Sequence, residues 1–147
     1  LDRLFPASAA IAALEPASFS MPNSRAKALL ALAGSLADGS VRLDRSRPRE
    51  EVRRALLGVP GIGPWTADYI ALRALGDPDV FLPSDIGTRN ALRRLAPGST
   101  PGQGPADPRQ IAAGAEAWQP WRSYAQLYLW QALTLPASKE ADHVDGA

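Results

Sequence analysis

An all-α fold is predicted by three features of the chain. Apolar residues recur at spacings of three and four, as on one face of a helix. Proline, glycine and short polar residues stand where such segments would start and stop. The single extended apolar run, Val80-Phe81-Leu82, is three residues long. In 147 residues these features describe one ordinary domain, long enough to bury about two-thirds of its extended surface.

The elements follow in order. After Pro6, the alanine-rich stretch from Ser8 to Leu14 is a short helix with Ser8 as its N-cap, ended by Glu15-Pro16. A longer helix runs from Pro22 to about Ala37, with Ala26, Leu29, Leu30, Ala33 and Leu36 on one face and Asp38-Gly39 closing it. Arginines at 42, 45, 47, 49, 53 and 54 then alternate with Asp44, Glu50 and Glu51. Such mixed charge fits a solvated face or a DNA-contacting patch, with the solvated face favoured. Ser46 or Asp44 caps the next helix, and Val52, Ala55 and Leu56 turn it to the core.

Gly58-Val59-Pro60-Gly61-Ile62-Gly63 is a glycine turn between two helices. Its glycines allow positive φ and close approach of a partner that a Cβ would block. Pro64 sets the first position of the second helix, which leaves the N–H groups of Gly61, Gly63 and Trp65, with Thr66 beside them, free at a positive helix end. This is a phosphate seat. No Lys-Ser/Thr follows the glycines and a charged helix precedes them, so a nucleic-acid backbone suits it better than a mononucleotide.

The second hairpin helix extends from Pro64 to Leu75, with Ala67, Ile70, Ala71 and Ala74 inward, and stops at Gly76-Asp77-Pro78. Trp65 and Tyr69 lie four apart on one face, as core aromatics or as a stacking surface. Pro83 turns the chain after Leu82, and Asp85 caps a helix from about Ile86 to Leu95 or serves chemistry there; the two roles are compatible. Arg89 and Arg93 on this helix face phosphate or solvent. Pro97 to Pro108 is a loop, Asp107 caps a helix from Pro108 to about Trp118, and a last helix runs from Trp121 or Arg122 to Leu133. There Ala125, Leu129 and Ala132 pack inward, and Tyr124, Tyr128 and Trp130 add rings. The polar stretch 137–147 is a disordered tail, leaving 1–136 as the helical domain, divided at 84 and 85 into a hairpin-bearing part and a C-terminal part.

Composition removes several classes of function. The chain has no cysteine and one histidine, His143, which argues against an iron–sulfur cluster, a zinc site or a Ser-His-Asp triad. No apolar run approaches a membrane span, so a cytoplasmic protein without a membrane partner is expected. A net charge of +1 means that a nucleic-acid partner has to be argued from where charges lie.

Taken together, Leu57-Gly58-Val59-Pro60-Gly61-Ile62-Gly63, Trp65-Thr66-Ala67 and Val80-Phe81-Leu82-Pro83-Ser84-Asp85 resemble the hairpin, Gly/Pro-rich loop and aspartate of the helix–hairpin–helix DNA glycosylases. Trp118 to Ala125, Arg3-Leu4-Phe5-Pro6 and Met21-Pro22 are similar to segments of the alkylbase branch, the DNA-3-methyladenine glycosylase II family. This resemblance implies a helix–hairpin–helix glycosylase fold, incomplete on its N-terminal side, that acts as a monomer on double-stranded DNA containing alkylated bases. Asp85 would be catalytic, Trp65, Tyr69 and Trp130 would form the base pocket, and the amides of Gly61, Gly63, Trp65 and Thr66 would hold phosphate. Trp65 stands where strand-cleaving relatives carry a lysine nucleophile, which implies base removal alone. No cofactor is required by the resemblance, although the carbonyls of Leu57, Val59 and Ile62 would hold a monovalent cation. The acidic pair and aromatic of the family become Ser84, Asp85 and Ile86 here. The wedge that fills the vacated stack would lie in fused N-terminal sequence. A non-catalytic hairpin module and an enzyme for oxidised or mismatched bases are the alternatives.

Overall fold

The computed structural model describes residues 4–95 and 107–134, and among them every regular element is helical. Seven α-helices follow one another among these residues: α1 (Ser8–Ala12), α2 (Asn23–Ala37), α3 (Arg49–Leu57), α4 (Pro64–Ile70), α5 (Ile86–Leu95), α6 (Pro108–Gly114) and α7 (Arg122–Thr134). The expected loop from Pro97, the tail 137–147 and Arg3 lie outside the described residues.

One core gathers around the hairpin. Val41, Val52, Leu56, Val59 and Ala67 are buried together, with Leu32, Leu36, Ile62 and Ile70 packed against them. Leu56 and Ala67 are wholly enclosed, so α3 and α4 meet through a large and a small side chain. The N-terminal helix α1 packs on α2.

A second core joins Ala71, Leu72, Val80 and Leu82 to Tyr69, Leu75 and Trp130. It is centred on the extended segment before Asp85, which has no strand to pair with among the described residues. Helix α7 supplies the missing partners. Ser123 Oγ accepts the Val80 N–H at 2.8 Å and Gln126 Oε1 accepts the Leu82 N–H at 3.0 Å. Buried backbone groups need such partners, and two side chains three residues apart on one helix face deliver them.

Several expectations are corrected by the coordinates. Ser8 is the first helical residue of α1 and Ala7 precedes it, with no side-chain cap. Helix α3 starts after Pro48 without a side-chain cap, because Asp44 spends its oxygen on the N–H and hydroxyl of Ser46. The second hairpin helix passes at Ala71–Leu75 into a wider π-helical turn. Widening the turn shifts the phase of the face, so Leu72 is buried and Ala74 exposed. On α7 the inward line is Ser123, Gln126 and Leu129, and Ala125 and Ala132 are only half-buried. Tyr124 and Tyr128 point outward, the latter 72% exposed. Asp107 does cap α6, accepting the Arg109 N–H at 3.0 Å.

Three of the six arginines in this stretch form ion pairs. Arg47 pairs with Glu51, Arg53 with Asp68 at 2.7 Å, and Arg49 with Asp77 at 2.8 Å. Arg122 grips Asp79 through two bonds of 2.6 Å, tying the start of α7 to the segment that leads to Asp85.

Candidate active site

Asp85 sits where Pro83 ends the extended segment and α5 begins. Its Oδ1 accepts the Thr88 N–H at 2.9 Å, the N-cap bond of α5. The same oxygen accepts the Thr88 hydroxyl at 3.2 Å and the Trp130 indole N–H at 2.8 Å. All three bonds converge on Oδ1, and Oδ2 carries none of them. Partial burial pushes the Asp85 carboxyl up, but the bonds from Trp130 and Thr88, with a smaller share from the Trp65 indole, outweigh it and hold the group below its ordinary value. The carboxylate is therefore ionised at neutral pH.

A file of rings leads to that carboxylate. Trp65 and Tyr69, one turn apart on α4, stack with centroids 5.0 Å apart and planes 14° from parallel. Tyr69 lies 6.1 Å from Trp130 at 48°, and Trp130 bonds to Asp85. The structure thus brings Trp65, Tyr69, Trp130 and Asp85 into one contiguous group from three helices. Trp65 remains 41% exposed, so a planar group from solvent can reach its face.

Gly87 makes the Trp130 seat possible. A Cβ there would lie 3.0 Å from Asp85 Oδ1 and 3.1 Å from Trp130 Cδ1. Sequence reasoning passed over Gly87, Thr88 and Gln126, because glycine, threonine and glutamine on helices signal nothing until neighbouring elements are placed.

The hairpin leads directly into the N-terminus of α4, with Gly63 as its N-cap residue. Gly58 N–H bonds back to Arg54 and Ala55, Val59 N–H to Leu56, and Ile62 N–H to the Val59 carbonyl at 3.1 Å. Among the described residues, the N–H groups of Gly61, Gly63, Trp65 and Thr66 take no hydrogen-bond partner. The hairpin glycines are not equivalent, however. Only Gly61 has positive φ, at 86°. Its Cβ would fall 2.6 Å from that of Ala28, so the close approach it permits is to α2. At Gly63 a Cβ would meet nothing within 4 Å, so that position opens to solvent. Arg89 and Arg93 are half-buried, with enclosed Nε atoms that lack partners, and so differ from freely solvated arginines.

Comparison with known proteins bears out the resemblance carried by the motifs. Over 139 residues, 95% of this chain, it is 40% identical to the "probable bifunctional transcriptional activator/DNA repair enzyme AlkA" of Mycobacterium tuberculosis. It is 39% identical over 129 residues to DNA-3-methyladenine glycosylase 2 of Escherichia coli. The chain spans 27% and 42% of the lengths of these two relatives. No protein-family model matches it. Its fold is that of 3-methyladenine DNA glycosylases: a fission yeast (Schizosaccharomyces pombe) enzyme solved in complex with abasic DNA superimposes with a TM-score of 0.76 over 89% of this chain and 65% of that one, at 22% identity. An Archaeoglobus fulgidus 3-methyladenine DNA glycosylase gives 0.70, covering 86% of this chain and 42% of the other, at 23% identity. Among the described residues no helix is long and apolar enough to cross a membrane, and no three or more acidic or histidine side chains gather in a group that could hold a metal ion.

Proposed function

We propose, from a likeness to DNA-3-methyladenine glycosylases that runs along almost the whole chain, that it carries the base-excising site of a monofunctional alkylbase DNA glycosylase. The observation that carries this reading is an ionised carboxylate, Asp85, at the end of the ring file Trp65–Tyr69–Trp130.

The substrate chemistry fits those groups. A purine alkylated at N3 or N7 is cationic and a good leaving group, so no acid is needed to protonate it. The nucleotide is flipped out of the duplex and its base stacks among the three rings, whose electron-rich faces favour a cation. The N-glycosidic bond breaks with its electron pair moving to the base, which leaves neutral. Asp85 stabilises the positive charge developing at C1′ and orients the water that captures it; the water's proton passes through the carboxylate to solvent, leaving an abasic site and free base. With an indole at Trp65 and no lysine there, no Schiff base forms and the strand is not cut.

The free amides of Gly61, Gly63, Trp65 and Thr66 hold a phosphate flanking the flipped nucleotide. The carbonyls of Leu57, Val59 and Ile62 are oxygen donors suited to a monovalent cation, and the Val59 oxygen, which accepts one N–H, has a second lone pair to offer. A cation held there would add positive charge to the phosphate seat.

Release of 3-methyladenine and 7-methylguanine from alkylated duplex DNA tests the reading, comparing the full chain with Asp85→Asn. Loss of release by at least about a hundredfold with DNA binding kept is the expected result. Undiminished release by Asp85→Asn would remove Asp85 from the chemistry. Binding without any release by the wild type would favour a non-catalytic hairpin module.

A further inference from the structure

The turn that carries Asp85 is bridged by a side chain that no part of the proposed chemistry uses. Gln126, midway along α7, is fully buried, as is Thr88. The Gln126 carboxamide spans the turn that carries the aspartate. Its Oε1 accepts the Leu82 N–H at 3.0 Å, three residues before Asp85. Its Nε2 donates to Thr88 Oγ1 at 2.5 Å, three residues after it. That donation fills an acceptor site of the hydroxyl and turns its proton toward Asp85 Oδ1, 3.2 Å away.

We infer that Gln126 is a positioning residue for the Asp85 carboxylate, acting through Thr88 and through the backbone at Leu82. An uncharged carboxamide suits the task, because it offers a donor on one side and an acceptor on the other with no buried charge. An apolar residue at 126 would leave the Leu82 N–H without a partner and the Thr88 hydroxyl free to rotate away. With Trp130 on the other side, Oδ1 is occupied and fixed, and Oδ2 is the oxygen presented to the reacting nucleotide. Gln126 itself touches no solvent, so it contributes nothing to DNA contact.

This inference rests on Asp85 being the catalytic group, and its test has an arm independent of activity. In the full chain, the 13Cγ resonance of Asp85 is titrated in the wild type, Gln126→Leu, Thr88→Val and Thr88→Ser. Gln126→Leu and Thr88→Val should each move the Asp85 midpoint upward by about half to one pH unit. Thr88→Ser should restore the wild-type midpoint, and the double variant should shift no further than either single one. In base release, the same two variants should lower kcat several-fold and leave KM unchanged. Thr88→Val keeps side-chain volume and the backbone cap, so it carries the test if Gln126→Leu does not fold. An unmoved midpoint in folded Thr88→Val, or additive shifts in the double variant, would overturn the relay. A wild type that titrates as expected but releases no base would instead overturn the functional reading.

Discussion

Asp85 shows how one residue can cap a helix and remain ready for chemistry. Capping fixes one carboxylate oxygen on the Thr88 amide, and the Trp130 indole adds a second strong donor to that oxygen. Both stabilise the charged form, and with the Thr88 hydroxyl and the Trp65 indole they outweigh the partial burial that pushes the group up. A group whose pKa is lowered in the folded state stays ionised through the ordinary carboxylate range and protonates only below it. Base release should therefore stay level as pH falls from neutral through that range, with loss setting in below it. Trp130→Phe keeps a ring in the pocket and removes the N–H. The acid limb of a single-turnover release profile should then move to higher pH, and a limb that stays in place would show that the indole bond does not govern the aspartate. Asp85, Trp65, Tyr69 and Trp130 were all legible in the sequence as candidates. Their partners Thr88, Gly87 and Gln126 were not, since each acquires meaning only when α5 and α7 are brought side by side.

The hairpin divides its tasks among glycines that look alike in sequence. Gly61 holds positive φ and faces Ala28, so the residue that seemed suited to a partner's close approach serves internal packing. Gly63 has ordinary φ of −92° and open space before it. Substitution by alanine should separate the two. Gly61→Ala should cost about 2–4 kcal/mol through backbone strain and overpacking, read as a lower urea midpoint. Gly63→Ala should change stability by less than about 0.5 kcal/mol. It should still weaken binding of damaged and undamaged duplexes by equal factors, because a phosphate contact carries no sequence information. Damage-selective weakening by Gly63→Ala would contradict the phosphate role. The helices themselves follow from periodicity, and their limits agree with those read from prolines and glycines to within a few residues. The π-helical turn at Ala71–Leu75 left no such mark, and it displaced Ala74 from the face that spacing alone assigned.

What joins these elements is a set of polar ties centred on the segment from Asp77 to Leu82. Arg49 of α3 bonds to the Asp79 carbonyl and pairs with Asp77, and Arg122 of α7 holds both Asp79 carboxylate oxygens. Ser123 and Gln126 continue the hold along the same segment. Among the described residues, which form no sheet, the extended stretch before Asp85 is thus kept in place by clamping it between helices. Such pairings across 43 residues could not be read from a charge pattern, in which the arginines look like a solvated face. The paired guanidinium of Arg122 holds the Asp79 carboxyl below its ordinary value, against a smaller push upward from burial. The sign is that of a lowered folded pKa: the stabilisation is complete above the unfolded value of about 3.9 and fades as pH falls through the folded one. Asp79→Asn should therefore destabilise the protein by about 1–3 kcal/mol at neutral pH. Its deficit against the wild type should shrink on acidification, because the wild type then loses the same charge. Urea unfolding of both proteins from neutral pH to below pH 3 measures that gap. A deficit that stays constant across the range would mean that the Asp79 charge adds nothing, and that the segment before Asp85 is held by Ser123, by Gln126 and by the bonds of Arg49 to Asp77 and the Asp79 carbonyl.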